Sequence, residues 1–165
     1  MTTVKYVILF VWALLLLGTV CYLIKRLFYA KRKTDSAINM SEAIFVASLI
    51  ISTSLVLQKV MQYVSIAFDT ILKIKPGEVY LQFIKTSSAI SVCGIILLGI
   101  SLLISKFLST VFFGKTKDII EFDADNIPFS LIRAILMISV SIVFLQLGES
   151  IFNYLIPSIT IPFYR

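Results

Sequence analysis

The sequence predicts an all-α integral membrane protein with four transmembrane helices arranged as two tandem helix-pair repeats. Three observations carry that prediction. The 165 residues are 59% hydrophobic with a mean hydropathy of +0.99, which places the chain in the membrane class. The apolar residues gather in four runs, at about 4–24, 43–67, 84–108 and 128–155, and about 20 apolar residues cross bilayer hydrocarbon as a helix. The runs of the first half also match those of the second at a nearly constant spacing. The connections, about 25–42, 68–83 and 109–127, leave no room for a globular catalytic module, so residues 1–165 read as one membrane domain.

The first run, Val4 to Ile24, exceeds the apolar core of a signal peptide and lacks a small-x-small cleavage pattern, so it is expected to stay as a mature helix. Cys21 and Cys93 each fall inside an apolar run, which gives a disulfide framework no support. Charge sets the expected orientation. Lys25, Arg26, Lys31, Arg32 and Lys33 follow the first run and only Lys5 precedes it, so the positive-inside rule puts the first loop in the cytoplasm and both termini outside. With Lys106, Lys115, Lys117 and Arg133 the inner side holds nine basic residues, against six outside: Lys5, Lys59, Lys73, Lys75, Lys85 and Arg165. The sequence pI near 9.4 is then an anchor to anionic lipid headgroups through the cluster of Lys25, Arg26 and Lys31 to Lys33. Nucleic acid is not an expected partner.

A shift of 81 residues lays Val11 to Leu27 on Val92 to Leu108 and aligns Gly18 with Gly99 and Lys25 with Lys106. A shift of 87 pairs Asn39 with Asn126, Ala47 with Ala134, Ser52 with Ser139 and Ser54 with Ser141. Each unit crosses the membrane twice, so the two would be parallel repeats about an axis along the membrane normal. This layout resembles the small bacterial inner-membrane proteins catalogued as domain of unknown function 350, whose repeated helix pairs carry an Asn-containing polar turn at the start of the second helix. The matching stretches are INMSEAIFVAS and DNIPFSLIRAI. The resemblance implies a topology and an inner-membrane location, and no activity.

The serines inside the apolar runs recur at helical spacing. On the third run Ser87, Ser91, Gly94, Leu98, Ser101, Ser105 and Ser109 form one stripe; on the second, Ala43, Ala47, Ser54, Gln58, Gln62, Ser65 and Asp69 form another. The fourth offers Ala134, Ser141 and Gly148 seven apart, with Ser139, Gln146 and Asn153 on an adjacent face. Small and hydroxylic residues in lipid suit close helix packing, and lining of a hydrated path is the second reading. The first run has no such stripe and is expected to show more surface to lipid.

Ser41 and Asn126 are expected to cap the second and fourth helices, with Pro128 in a first turn. The segments ILKIK and VYLQF, on either side of Lys75-Pro76-Gly77-Glu78, read as a short hairpin or interfacial strands. The tail NYLIPSITIPFYR, with Pro157 and Pro162, should leave the helix, with Tyr154, Phe163 and Tyr164 in the aromatic belt. The acidic stretch DIIEFDADN reads as a solvated loop. Lys59 follows Gln58, and Glu149 lies one turn after Gln146. The first reading is snorkelling of Lys59 to the outer headgroups with Glu149 at the water boundary; direct pairing is the second, and ion handling by Glu149 the third.

Histidine is absent and no thiol pair, phosphate-cradling glycine loop or carboxylate pair nominates a catalytic site, a metal or a cofactor. The expected function is a small structural or interaction subunit of the membrane, as a homo-oligomer or with a partner membrane protein. The alternative is an oligomeric channel or small-solute conduit lined by the serine-bearing faces.

Overall fold

A computed structural model describes residues 2–29, 39–74, 77–114, 121 and 124–157, with side chains in the first helix from Lys5 to Tyr22. Four helices follow in order: α1 Thr2–Tyr29, α2 Met40–Ile74, α3 Val79–Phe113 and α4 Ile127–Leu155. Each contains a stretch long and apolar enough to cross a membrane, and no strand occurs among the described residues. The protein is an all-α, four-helix, multi-pass membrane protein.

The helices outrun the expected apolar windows, and α2 and α3 reach 35 residues each. The apolar window measures only the part that crosses hydrocarbon. Of the segments expected as a hairpin or strands, residues 71–74 and 79–83 are helical instead: Ile71, Val79 and Phe83 are buried in one cluster with Phe68, whose ring stands edge-on to Phe83 at 5.2 Å. That contact lets α2 continue as a helix to Ile74 and α3 begin at Val79.

The helix starts also differ from expectation in one case. Asn126 caps α4 by accepting from the Phe129 N–H at 3.2 Å, with Pro128 in the first turn. Ser41 does not cap α2, which begins at Met40; the Ser41 N–H instead donates to the Asp125 carboxylate at 2.8 Å. Asp125, at φ 51, is therefore engaged with the opposite helix start, and Glu121 accepts from Asn126 Nδ2 at 2.7 Å. Of these two members of the expected solvated loop, Asp125 ties the α2 start to the α4 start, and Glu121 holds the Asn126 cap. α4 ends at Leu155, Ile156 is extended and Tyr154 is 90% exposed. Phe163, Tyr164 and the basic residues Lys31, Arg32 and Lys33 lie outside the described residues, and Lys25 and Arg26 fall on the last turns of α1.

α2, α3 and α4 form a three-helix bundle, and α1 lies along its side against α2. Lipid tails are as apolar as leucine, so helix association in a bilayer depends on close packing rather than on removing apolar surface from water. The bundle accordingly buries small residues: Ser48 and Ser52 of α2, Ser87, Ser91, Gly94, Ser101 and Ser105 of α3, and Ser130, Ala134, Ser141 and Gly148 of α4. A Cβ on Gly94 would collide with Val60, and one on Gly148 would come within 2.6 Å of Leu97. At either position a side chain would force its neighbour to move. α1 instead exposes Tyr6, Phe10, Leu14, Leu15 and Leu17.

Candidate functional site

The charges give the depth scale. Lys5 and Lys25 on α1, and Lys85 and Lys106 on α3, are separated by about 30 Å of helical rise, the thickness of bilayer hydrocarbon. Lys5 Nζ donates to both oxygens of the Asp69 carboxylate, at 2.8 and 2.7 Å, so Asp69 marks on α2 the boundary nearest Lys5. At the opposite boundary Arg133 is 4% exposed. Its Nη1 donates to the Ser105 carbonyl at 3.0 Å and to the Ser109 hydroxyl, and the guanidinium lies 5.8 Å from the centroid of the Phe45 ring.

Between those boundaries only Lys59 and Glu149 carry charge on the described helices. Lys59 Nζ lies 2.6 Å from Glu149 Oε1. This overturns snorkelling as the first reading: the lysine is turned toward the neighbouring helix. Lys59 is about 15 Å of helical rise below Asp69, which puts the pair near mid-depth. An isolated charge there is costly, so each charge stabilises the burial of the other. The side chains are still 29% and 41% exposed, and they open on the outward side of the α2–α4 contact.

Contacts fix the register. Ser48 Oγ is 3.8 Å from Met137 Sδ, 89 positions on, and the Tyr63 and Phe152 rings, with the same offset, are 5.1 Å apart. Gln58 and Gln146 therefore share a depth. Both are exposed, as are Gln62, Ser150 and Asn153, so the ion pair sits within an outward-facing belt of polar groups.

The expected stripes divide accordingly. Ser87, Ser91, Gly94, Ser101 and Ser105 are buried inside the bundle. Ser91 donates to the Ser87 carbonyl at 2.6 Å, Ser101 to the Leu97 carbonyl at 2.9 Å, and Ser91 also accepts from Trp12 Nε1 at 3.1 Å. Ser141 is buried with Ala134 and Gly148. Ser54, Gln58, Ser139 and Gln146 are exposed, so they form no packing seam within the chain, and Ser54 satisfies its hydroxyl on the Ile50 carbonyl at 2.8 Å. The α2 positions that do pack are Ser48 and Ser52, on the opposite face. Sequence reasoning missed these two, along with Arg133, Trp12 and Asp125. A shift of 89 rather than 87 would have paired Ser52 with Ser141, both of which are buried.

A crevice between α1, α2 and α3, lined by Leu16, Val56, Val60, Ser91, Gly94 and Leu98, has a volume of about 10 Å³. That is room for about one water molecule. No group of three or more potential metal ligands occurs among the described residues. Among the described residues the distinctive chemistry is hydrogen-bonding capacity and a neutralised charge pair presented sideways at mid-depth. No protein-family model, curated protein or solved structure matches this chain.

Proposed function

We propose that the protein is a small interaction subunit of a bacterial inner membrane, without catalytic activity of its own, that assembles through the outward face shared by α2 and α4. One observation carries this reading: Gln58, Gln62, Gln146 and Asn153 surround the part-exposed Lys59–Glu149 pair on the surface of membrane-crossing helices. Lipid tails offer amides no hydrogen-bond partner, so such groups favour contact with protein or water. A photo-crosslinking side chain at Ile142, beside the belt, is expected to give protein adducts in native membranes, whereas the same group at Leu14 of α1 gives lipid adducts. Lipid adducts alone at Ile142 would reject the reading.

The orientation belongs to the same proposal, with both termini outside and the Lys31 to Lys33 loop in the cytoplasm, as the basic cluster implies. Among single cysteines at Thr34, Gly77 and Asp123, only the Gly77 site should react with an impermeant reagent in intact cells. The reverse pattern inverts the topology.

A conduit is the second reading, favoured by the buried hydroxyls of Ser52, Ser87, Ser105, Ser130 and Ser141, which have no hydrogen-bond partner among the described residues. Solute flux in vesicles holding the purified protein supports it. Absence of flux leaves the interaction reading in place.

A further inference from the structure

We infer that the belt is closed by a second copy of this chain, inserted in the same direction, with α4 packed on α4 about a two-fold axis along the membrane normal. The inference rests on the reading of the α2–α4 face as an assembly surface. Along α4, Ile135, Ser139, Ile142, Gln146, Glu149 and Asn153 follow one another in alternating steps of four and three. That is the spacing of a helix-pairing seam. Ala134, Ser141 and Gly148 form a separate seven-residue row, which is buried within the chain. The row of Ser139, Gln146 and Asn153 is exposed, and Ile135 and Ile142 beside it are 55% and 45% exposed. α4 thus carries two packing rows and the chain itself covers one.

The chemistry of the uncovered row selects its occupant. Two copies inserted alike place each residue at the depth of its own counterpart, and a two-fold contact sets like against like. Like against like excludes bare charges and suits amides, each of which both donates and accepts. Gln146 and Asn153 can therefore bond their counterparts across the axis, and Ser139, with a small side chain, lets the backbones approach. The only charge on the seam, Glu149, is already neutralised by Lys59 of its own chain. Two copies would bring no like-charge repulsion to mid-bilayer.

The test uses the full chain with Cys21→Ser and Cys93→Ala, purified and reconstituted at high lipid dilution. Cysteine is introduced at Ser139, at Gln146 or, as a control, at Leu14, and disulfide formation is read as a species of twice the mass. Crosslinking at Ser139 and Gln146 at least tenfold above Leu14 is expected. In a fluorescence-transfer assay on the same vesicles, Gln146→Leu should raise the dimer dissociation constant roughly three- to thirtyfold, the effect of losing one interhelical hydrogen bond in a membrane. Monomer at every position, or equal crosslinking at Leu14, overturns the inference. Protein adducts at Ile142 in native membranes, alongside monomer in the purified sample, would keep the assembly surface and assign it to a different chain.

Discussion

α1 and α3 align at a shift of 81 residues and are both long enough and apolar enough to cross a bilayer, yet the chain uses them differently. Of the apolar window, 11% is buried in α1 and 33% in α3. Apolar content does not decide burial, since α2 matches α1 in mean hydropathy at 1.9 and is 39% buried; the placement of small residues does. On α3 Ser87, Ser91, Gly94, Ser101, Ser105 and Ser109 recur on one face and all are buried. On α1 Gly18 and Thr19 are exposed and no row of small residues forms. Where lipid competes with protein for every apolar side chain, a helix enters the bundle if its backbone can come close. α1 is held instead by a few directed contacts: Lys5 to Asp69, Trp12 to Ser91, and the Trp12 ring edge-on to Phe83 at 6.0 Å.

The sharpest test of this contrast sets three glycines side by side. Gly94 faces Val60, whereas Gly18 on α1 and its aligned partner Gly99 on α3 have nothing within 4 Å of an added Cβ. Gly94→Leu should destabilise the protein by about 1–3 kcal/mol or more through overpacking, seen as a lower melting temperature in detergent and loss of a single peak on fluorescence-detected gel filtration. Gly18→Leu and Gly99→Leu should both behave like wild type. Equal losses at Gly99 and Gly94 would mean that the face, and not the helix, has been assigned wrongly.

The ion pairs extend the comparison to charge. Lys59–Glu149 joins two bundle helices near mid-depth, and Lys5–Asp69 ties α1 to the bundle at the boundary, at nearly equal distances of 2.6 and 2.7 Å. Depth should make their consequences unequal. Glu149→Lys and Lys59→Glu are each expected to lower thermal stability clearly, and the double swap to restore most of the loss. Asp69→Lys should do little, because water and headgroups solvate charge at the boundary. Additive losses in the Lys59 and Glu149 double swap would reject direct pairing as the source of the effect.

How much of this was legible beforehand depends on the kind of signal. Four spans follow from run length alone, and the α3 stripe follows from steps of four and three residues between Ser87 and Ser109. The α2 stripe misleads because serines occur on both of its faces: Ser54 and Gln58 satisfy the spacing, but Ser48 and Ser52 pack. Periodicity identifies a face, and only the partner decides which of two polar faces is covered. The Lys59–Glu149 contact depends on the register of α2 against α4, which contacts such as Tyr63 with Phe152 set. Arg133 looked like one more basic residue at a helix start because its partners Ser105 and Ser109 are on another helix. Asp125 does lie in an exposed turn, as the acidic stretch implies; its acceptor role toward Ser41 is not legible because it is likewise a contact between distant segments.

A weaker effect probes the tether of α1. Trp12 is the single tryptophan, and Ser91→Ala removes the acceptor of its indole N–H, a contribution of about 0.5–1.5 kcal/mol. The bundle itself keeps its packing, since alanine fills the space of the serine. A shift of the tryptophan emission to shorter wavelength, with a small change in melting temperature, is the expected signature. An unchanged emission spectrum would place α1 against the bundle by apolar contact alone.

The smallest expected effect compares one hydroxyl from each helix. Thr19 on α1 donates to the Leu15 carbonyl at 2.8 Å and is exposed; Ser101 on α3 donates to the Leu97 carbonyl at 2.9 Å and is buried. In both the bond closes on the residue's own helix, one turn back, so it links nothing to anything else. Removing it should cost little at either site, whatever the burial, and Thr19→Ala and Ser101→Ala should both melt within about 0.5 kcal/mol of wild type. Size is what separates the two positions. Thr19→Leu adds apolar surface to a lipid-facing flank and should be silent, whereas Ser101→Leu forces a branched side chain into the α2–α3–α4 contact, where Ser101 is 1% exposed. A large loss for Ser101→Ala would show instead that the buried hydroxyls act as hydrogen-bonding groups between helices, and would give the serine stripe a polar role that its geometry does not require.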